Sequence, residues 1–386
     1  MKNVVGQVVR KADFWQRKFE LEDMWDAINS GSHLLLCAPR RVGKTSLMHK
    51  ILDEPQDNYI PIYIDTESAD SQAEFWKKIF NALTEEKFTS SLKNKAQLFA
   101  DWLKGIKITS ISIEGVEFGD GDVLDYKVAF KRLIKDLEQD KKLIIMIDEF
   151  AQTIENIIQY QDVQNALSLL KAHRELRQDT EFSQKVTFVY AGSIGLESVV
   201  AKIGASKHIN DLNSIKVSPL IRAEAQQFVE SLFANLSITS TAEVTNYLLD
   251  QIDWLIPFYI QLIVQEIKKL YRRAPNLDNS VVDQAINNAL DNRNHFESWQ
   301  SKLKTGLEKD EYLFAKEVLN KISNDTFINS LDINNMASKH KLDENNAREN
   351  IQSLVYDGYI NNNDDSKIYK FNSPILRMWW NKNVAN

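Results

Sequence analysis

Ala38-Pro39-Arg40-Arg41-Val42-Gly43-Lys44-Thr45 sets a glycine, a lysine and a hydroxyl residue in succession, after the apolar run His33 to Cys37 and ahead of helical periodicity from Thr45 to Leu52. A backbone that turns between a buried strand and a helix can aim consecutive N–H groups, here those of Val42 to Thr45, into one concavity. The helix N-terminus adds positive potential there, so the segment is a cradle for a polyphosphate. Lys44 is expected to reach the β- and γ-phosphates, and the Thr45 hydroxyl to ligate Mg²⁺, which prefers oxygen donors. Gly43 is expected to resist any side chain because backbone and phosphate approach closely. Ala38 stands where this pattern usually has glycine.

A second constellation lies about a hundred residues downstream, where the apolar run Leu143 to Ile147 stops at Asp148-Glu149. One carboxylate at such a strand end can hold the hydration shell of Mg²⁺, and its neighbour can polarise an attacking water. Taken alone, two acids ending a strand are as well explained by the chain reaching solvent; the phosphate loop gives them a partner at the carboxyl edge of a sheet. Ser193 follows another apolar run, Val186 to Ala191, and is placed to hydrogen-bond the γ-phosphate or the water, with a plain turn serine as the equal alternative. Arg174, Arg177 and Arg222 have the planar fork that suits transition-state charge, but arginines on amphipathic helices are mostly solvated, and that is the expectation for all three.

The elements that must position these groups are legible from periodicity. Apolar Phe14, Leu21, Met24, Trp25 and Ile28 predict a leading helix over residues 12 to 29. Strands are predicted at His33 to Cys37, Tyr59 to Asp65, Leu143 to Ile147, Val186 to Ala191 and Ser214 to Val217, alternating with helices such as Ala73 to Leu83 and Asp125 to Glu138. That alternation predicts an α/β fold, a doubly wound parallel sheet of about five strands, with a β-hairpin inserted near 106–119. Pro61 tempers the second strand, since it removes a ladder donor. After Pro219 the pattern becomes helical: Ala223 to Phe233, Ala242 to Ile252, Pro257 to Leu270 and Ser280 to Leu290. Three further helices and a hairpin around 361–366 then predict a winged helix. The expected domains are 1–220 (sheet core), 221–305 (helical lid) and 306–386 (winged helix).

Composition excludes several classes. The chain has 386 residues, 47 Lys and Arg against 54 Asp and Glu (net charge −7), and 43% hydrophobic residues, which is the profile of a folded globular protein. Bulk attraction to DNA or anionic lipid is therefore small. The single cysteine, Cys37, forms no internal disulfide and is expected to act as a small hydrophobe. With no run long and apolar enough to span a bilayer and no signal-like stretch at the start, the expected location is the cytoplasm, away from membranes.

The phrase Ala38 to Leu47, with Ile147-Asp148-Glu149-Phe150 and Ala191-Gly192-Ser193, resembles the archaeal-type ATPases, STAND-like P-loop proteins related to the AAA+ class. Phe14-Trp15-Gln16-Arg17 with Glu20-Leu21 resembles that family's N-terminal Phe-x-Gly-Arg-Glu box, and Trp254-Leu255-Ile256-Pro257 its Gly-x-Pro motif, each with the glycine replaced. The resemblance implies a Walker A segment at 38–45 continuing into Ser46, a Walker B strand ending at Asp148 and Glu149, and Ser193 as sensor 1. It implies that Phe14, Arg17 and Pro257 border the adenine of ATP.

The family implies a nucleotide-driven switch that repositions the lid and winged helix between ATP and ADP states. From Lys309 onward ten Lys and Arg face eleven Asp and Glu, so the winged helix is expected to meet a protein partner in preference to DNA. A DNA-associated ATPase or loader, and a pseudo-ATPase that binds nucleotide as a structural ligand, are the alternatives; association into a homo-oligomer stays open.

Overall fold

The computed structural model describes residues 1–84, 108–112, 115–118, 125–136, 141–192 and 195–385. By its internal contacts the chain divides into two units, one of residues 16–38 and 44–217, the other of residues 1–15, 39–43 and 218–386.

The first unit is built on five parallel strands: β1 (Leu34–Cys37), β2 (Tyr59–Asp65), β5 (Lys142–Asp148), β6 (Val186–Tyr190) and β7 (Asn213–Lys216), in the order β2-β5-β6-β1-β7. Between β2 and β5 in sequence, β3 (Ile108–Ser112) and β4 (Gly115–Phe118) form a separate antiparallel pair. Helices α1 (Lys18–Asn29), α2 (Lys44–Asp53), α3 (Gln72–Thr84), α4 (Tyr126–Asp136), α5 (Phe150–Tyr160) and α6 (Val163–Gln178) belong to this unit. Leu143 to Ile147 of β5 are all fully buried, which is why that strand reads as an unbroken apolar run: both faces are covered. Pro61 is accommodated because β2 is an edge strand, paired through β5 alone. The register Asp65↔Asp148 and Ile147↔Tyr190 brings the carboxyl ends of β2, β5 and β6 level.

The leading helix is shorter than its periodicity predicts. Arg17 precedes α1 with non-helical backbone (φ −113, ψ 59), and its buried guanidinium bonds Glu20 at 2.8 Å, so regular helix begins at Lys18 and Phe14 falls outside it.

The second unit holds α7 (Arg222–Leu236), α8 (Ala242–Ile252), α9 (Pro257–Tyr271), α10 (Asn279–Asp291) and α11 (Glu297–Thr305). Next come α12 (Lys309–Asp325), β8 (Phe327–Asn329), α13 (Ser330–Lys339), α14 (Glu344–Tyr356), β9 (Ile360–Asn361), β10 (Ile368–Phe371) and α15 (Pro374–Trp380). The last three strands form an antiparallel sheet in the order β8-β10-β9. One hydrophobic cluster runs from Leu220 to Val384, so the sequence-based division near 305 falls inside this unit. Ile375, Leu376, Trp379 and Trp380 are part of that core. Pro257 opens α9 at the first helical position, where its missing N–H leaves no intrahelical bond unmade.

Candidate functional site

In the sheet unit, β1 delivers Ala38 and α2 begins at Lys44, whose buried Nζ donates to the Ala38 carbonyl at 2.8 Å. Next in sequence, Thr45 Oγ1 donates to Asp148 Oδ2 at 2.7 Å. Two segments 103 residues apart thus meet through the two groups that the sequence reading assigned to a metal.

Asp148 is 3% exposed, and its remaining contacts are the Tyr63 hydroxyl on the same Oδ2 at 3.0 Å and the Glu149 amide on Oδ1 at 3.0 Å. Burial raises its pKa from the ordinary carboxylate range, against the stabilising bonds from Thr45 and Tyr63, and the Glu149 charge pushes the same way as burial. No cation lies among these contacts, so the buried carboxylate is compensated by hydroxyls and an amide only. Such a donor set fits Mg²⁺, which takes one or two protein oxygens and fills its shell with water and phosphate. Among the described residues no group of three or more His, Cys, Asp or Glu side chains able to hold a metal occurs.

Glu149 follows with left-handed backbone (φ 55) as the N-cap of α5 and is half-buried. A non-glycine residue in that region costs free energy that functional sites retain when the side chain must point in one direction. The strand-to-helix turn is pinned on both sides: the Ala191 carbonyl accepts from the Phe150 amide at 3.0 Å, and Thr66 bonds the Asp148 carbonyl through its amide and hydroxyl at 3.1 and 2.9 Å. Ser193 lies outside the described residues. Cys37 is half-buried and not simply apolar; its thiol donates to Glu197 at 2.9 Å, and burial followed by that bond pushes its pKa up to about 12, so it is no nucleophile.

Gly43 has a conformational reason to be glycine, beside the close phosphate approach expected of it. Its φ is +108, a value L side chains rarely adopt, yet an added Cβ would meet no atom within 4 Å. None of Gln16, Ala38 and Leu255, the residues replacing family glycines, has positive φ; the positive φ near the third motif falls on Asp253, the residue just before it (φ 56). These replacements therefore carry no left-handed strain.

The side chains of Arg40 and Arg41 are engaged within the helical unit, where Arg40 is buried and Arg41 lies over the Phe258 ring at 4.0 Å. Of the residues assigned to adenine, Arg17 sits in the sheet unit paired with Glu20, while Phe14 and Pro257, both half-buried, belong to the helical unit.

The expectation of solvated arginines holds for Arg222 and fails for Arg177. Arg177 is neither solvated nor poised: its side chain is 2% exposed, bonded to Asp211 through Nε and Nη2 at 2.8 and 2.9 Å and to the Tyr190 hydroxyl at 3.1 Å. Arg222, 40% exposed, pairs with Asp250 at 2.7 Å on the helical unit's surface. Tyr63 is the site residue that sequence reasoning missed. Its signal was its place on β2, two residues before Asp65, the residue in register with Asp148.

Residues 28–200 match the family profile of an AAA domain. The Walker-type ATPase PABY2304 of Pyrococcus abyssi superposes with a TM-score of 0.70 over 98% of this chain and 99% of that one, at 16% identity, which establishes a shared fold. Cdc6p from Pyrobaculum aerophilum aligns over 98% and 96% of the two chains with a TM-score of 0.48 and 11% identity. A search of curated proteins found no match.

Proposed function

We infer that this chain, whose residues 28–200 match an AAA domain and whose fold is shared with a Walker-type ATPase, is an archaeal-type P-loop protein that binds ATP with Mg²⁺ and hydrolyses it slowly or on partner stimulation, as a molecular switch. The observation that carries the reading is the 2.7 Å hydrogen bond between Thr45, the hydroxyl residue of the phosphate loop, and Asp148, the buried acid at the end of β5.

In this reading the phosphate-loop amides and Lys44 bind the β- and γ-phosphates, Lys44 exchanging its bond to the Ala38 carbonyl for phosphate oxygens. Thr45 and Asp148 would hold Mg²⁺, which supplies charge neutralisation on the phosphate oxygens when bound. Glu149 accepts a proton from the attacking water as the water oxygen bonds the γ-phosphorus and the bond to the bridging oxygen of ADP breaks. Ser193 contributes a hydrogen bond to the γ-phosphate, and Phe14, Arg17 and Pro257 border the adenine. The setting is the cytoplasm; among the described residues no helix is long and apolar enough to cross a membrane.

The output is read from the C-terminal segment, whose order of helix, strand, two helices and hairpin with sheet order β8-β10-β9 supports a winged helix. Its surface favours a protein partner over DNA: Phe327, Leu331 and Ile368 are exposed at 52%, 69% and 37%, and Lys370 is ion-paired with Asp364 at 2.5 Å.

Calorimetry with Mg-ATP tests the reading. Wild-type protein is expected to bind, Lys44→Ala to lose binding by about a hundredfold or more, and Glu149→Gln to bind while losing turnover. Unchanged affinity in Lys44→Ala refutes the site; binding by wild type without turnover under any partner condition refutes the enzymatic half.

A further inference from the structure

Pro39, Arg40 and Arg41, three successive residues of the phosphate loop, are each seated on a different part of the helical unit. Pro39 faces Gly358, where a Cβ would come within 3.3 Å of the proline Cβ. Arg40 lies over the Trp299 ring at 5.5 Å and donates to the Ser298 carbonyl at 3.4 Å. Arg41 lies over Phe258 at 4.0 Å and donates to the His295 carbonyl and, at 3.3 Å, to the Ser298 hydroxyl. Trp299 is itself fixed, its carbonyl accepting from the Tyr359 hydroxyl at 2.6 Å. The segment from α9 through α11 to the turn before β9 thus grips one side of the loop.

Arg41 holds a left-handed backbone (φ 65) two residues before Gly43, so the grip also maintains a strained loop conformation. Ala38 and Lys44, which flank the gripped residues in sequence, belong to the sheet unit. A polyphosphate drawn onto the loop amides must act on the backbone that carries both guanidinium groups.

We propose that Arg40 and Arg41 are positioning residues, not phosphate ligands: they clasp the phosphate loop to the helical unit so that nucleotide bound on the loop is sensed by Phe258, Ser298 and Trp299. The inference rests on the ATP-binding reading above. Coupling of this kind is reciprocal, so if nucleotide alters the clasp, altering the clasp from its helical side must alter nucleotide affinity.

The experiment measures Mg-ATP affinity by calorimetry and nucleotide-induced tryptophan emission on the full chain. Wild type is expected to show an emission change that Trp299→Phe removes. Phe258→Leu and Ser298→Ala, which alter the groups that meet the Arg41 guanidinium, are expected to shift affinity in the same direction as Arg41→Ala, by roughly 5- to 150-fold for Arg41→Ala and less for the other two. Arg41→Lys should restore part of the shift. A double-mutant cycle between Arg41→Ala and Phe258→Leu should be non-additive. If Arg41→Ala does not fold, the two helical-side variants carry the test.

Wild-type affinity in both helical-side variants, or binding by wild type with no Trp299-dependent emission change, overturns the clasp while leaving the ATP-binding reading intact. Absence of Mg-ATP binding by wild type overturns both.

Discussion

Arg177 in the sheet unit is buried and Arg41 in the helical unit half-buried, and the two are satisfied by different means. Arg177 in the sheet unit meets a carboxylate, Asp211, with two nitrogens, and adds the Tyr190 hydroxyl and the His208 carbonyl at 2.5 Å. Burial disfavours its charge, but Tyr190 and Asp211 more than offset this and hold its pKa above the ordinary value. Arg41 in the helical unit has a ring, a carbonyl and a hydroxyl, with no carboxylate among its described contacts, and burial lowers its pKa. A buried arginine with a countercharge is a lock, because removing the carboxylate leaves the buried guanidinium unpaired. An arginine held by neutral groups has no ion to abandon, so a polyanion bound on its own backbone can shift it without stranding a countercharge. The difference separates an arginine that stabilises the fold from one that can report.

The largest expected effect breaks the lock. Arg177→Ala should cost about 3 kcal/mol, since it breaks the pair with Asp211 and deprives the buried Tyr190 hydroxyl and the His208 carbonyl of a donor, whereas Arg41→Ala should cost about 1 kcal/mol. Urea unfolding monitored in both variants checks this. Equal losses would place Arg41 in the same structural class as Arg177.

Next in size is a pH effect centred on the same network. Burial, then repulsion from Arg177, lowers the His33 pKa to about 4, and burial and Arg177 likewise lower that of His173. The folded protein keeps these rings neutral while the unfolded chain protonates them from about pH 6.5 downward. Stability is therefore lost as pH falls from about 6.5 to about 4. His33 alone contributes a loss of about 2 kcal/mol between pH 7 and 5. Asp211, held below the usual carboxylate range by its bonds to Arg177 despite burial, works in the same direction at lower pH. His33→Gln should flatten the profile; an unchanged slope between pH 7 and 5 in that variant would refute the assignment.

How much of this could be read in advance differs with the kind of residue. The five strands were legible because a parallel strand buried on both faces must be apolar throughout, and Leu143 to Ile147 carry that pattern whatever lies beside them. The phosphate loop and Asp148-Glu149 were legible because their chemistry depends on residue type at fixed spacing. Arg177 was not, because its partners Tyr190 and Asp211 lie 13 and 34 residues away and no local pattern marks a helix position that faces them. Tyr63 was hidden likewise, since its bond to Asp148 exists only through the register of β2 on β5. β8 was missed because three residues make a strand only when β10 supplies the ladder. The grip on Arg40 and Arg41 required the side chains to turn away from the ligand that their position in the loop suggests.

The smallest expected effect returns to Asp148, which inverts the case of Arg177: a buried ion whose described contacts are Thr45, Tyr63 and an amide, with no countercharge. Its pKa is raised by burial, so in the ligand-free protein at neutral pH the charged form weakens the fold, and the penalty disappears as protonation proceeds at lower pH. Asparagine keeps the shape and removes the charge. Asp148→Asn should therefore stabilise the ligand-free protein, by about 1 kcal/mol, while the magnesium-dependent part of ATP affinity falls. A carboxylate that the fold needed for its own sake would give the opposite sign, a drop in the unfolding midpoint. One comparison of midpoints with and without Mg-ATP thus decides whether this acid is retained for a metal or for the sheet.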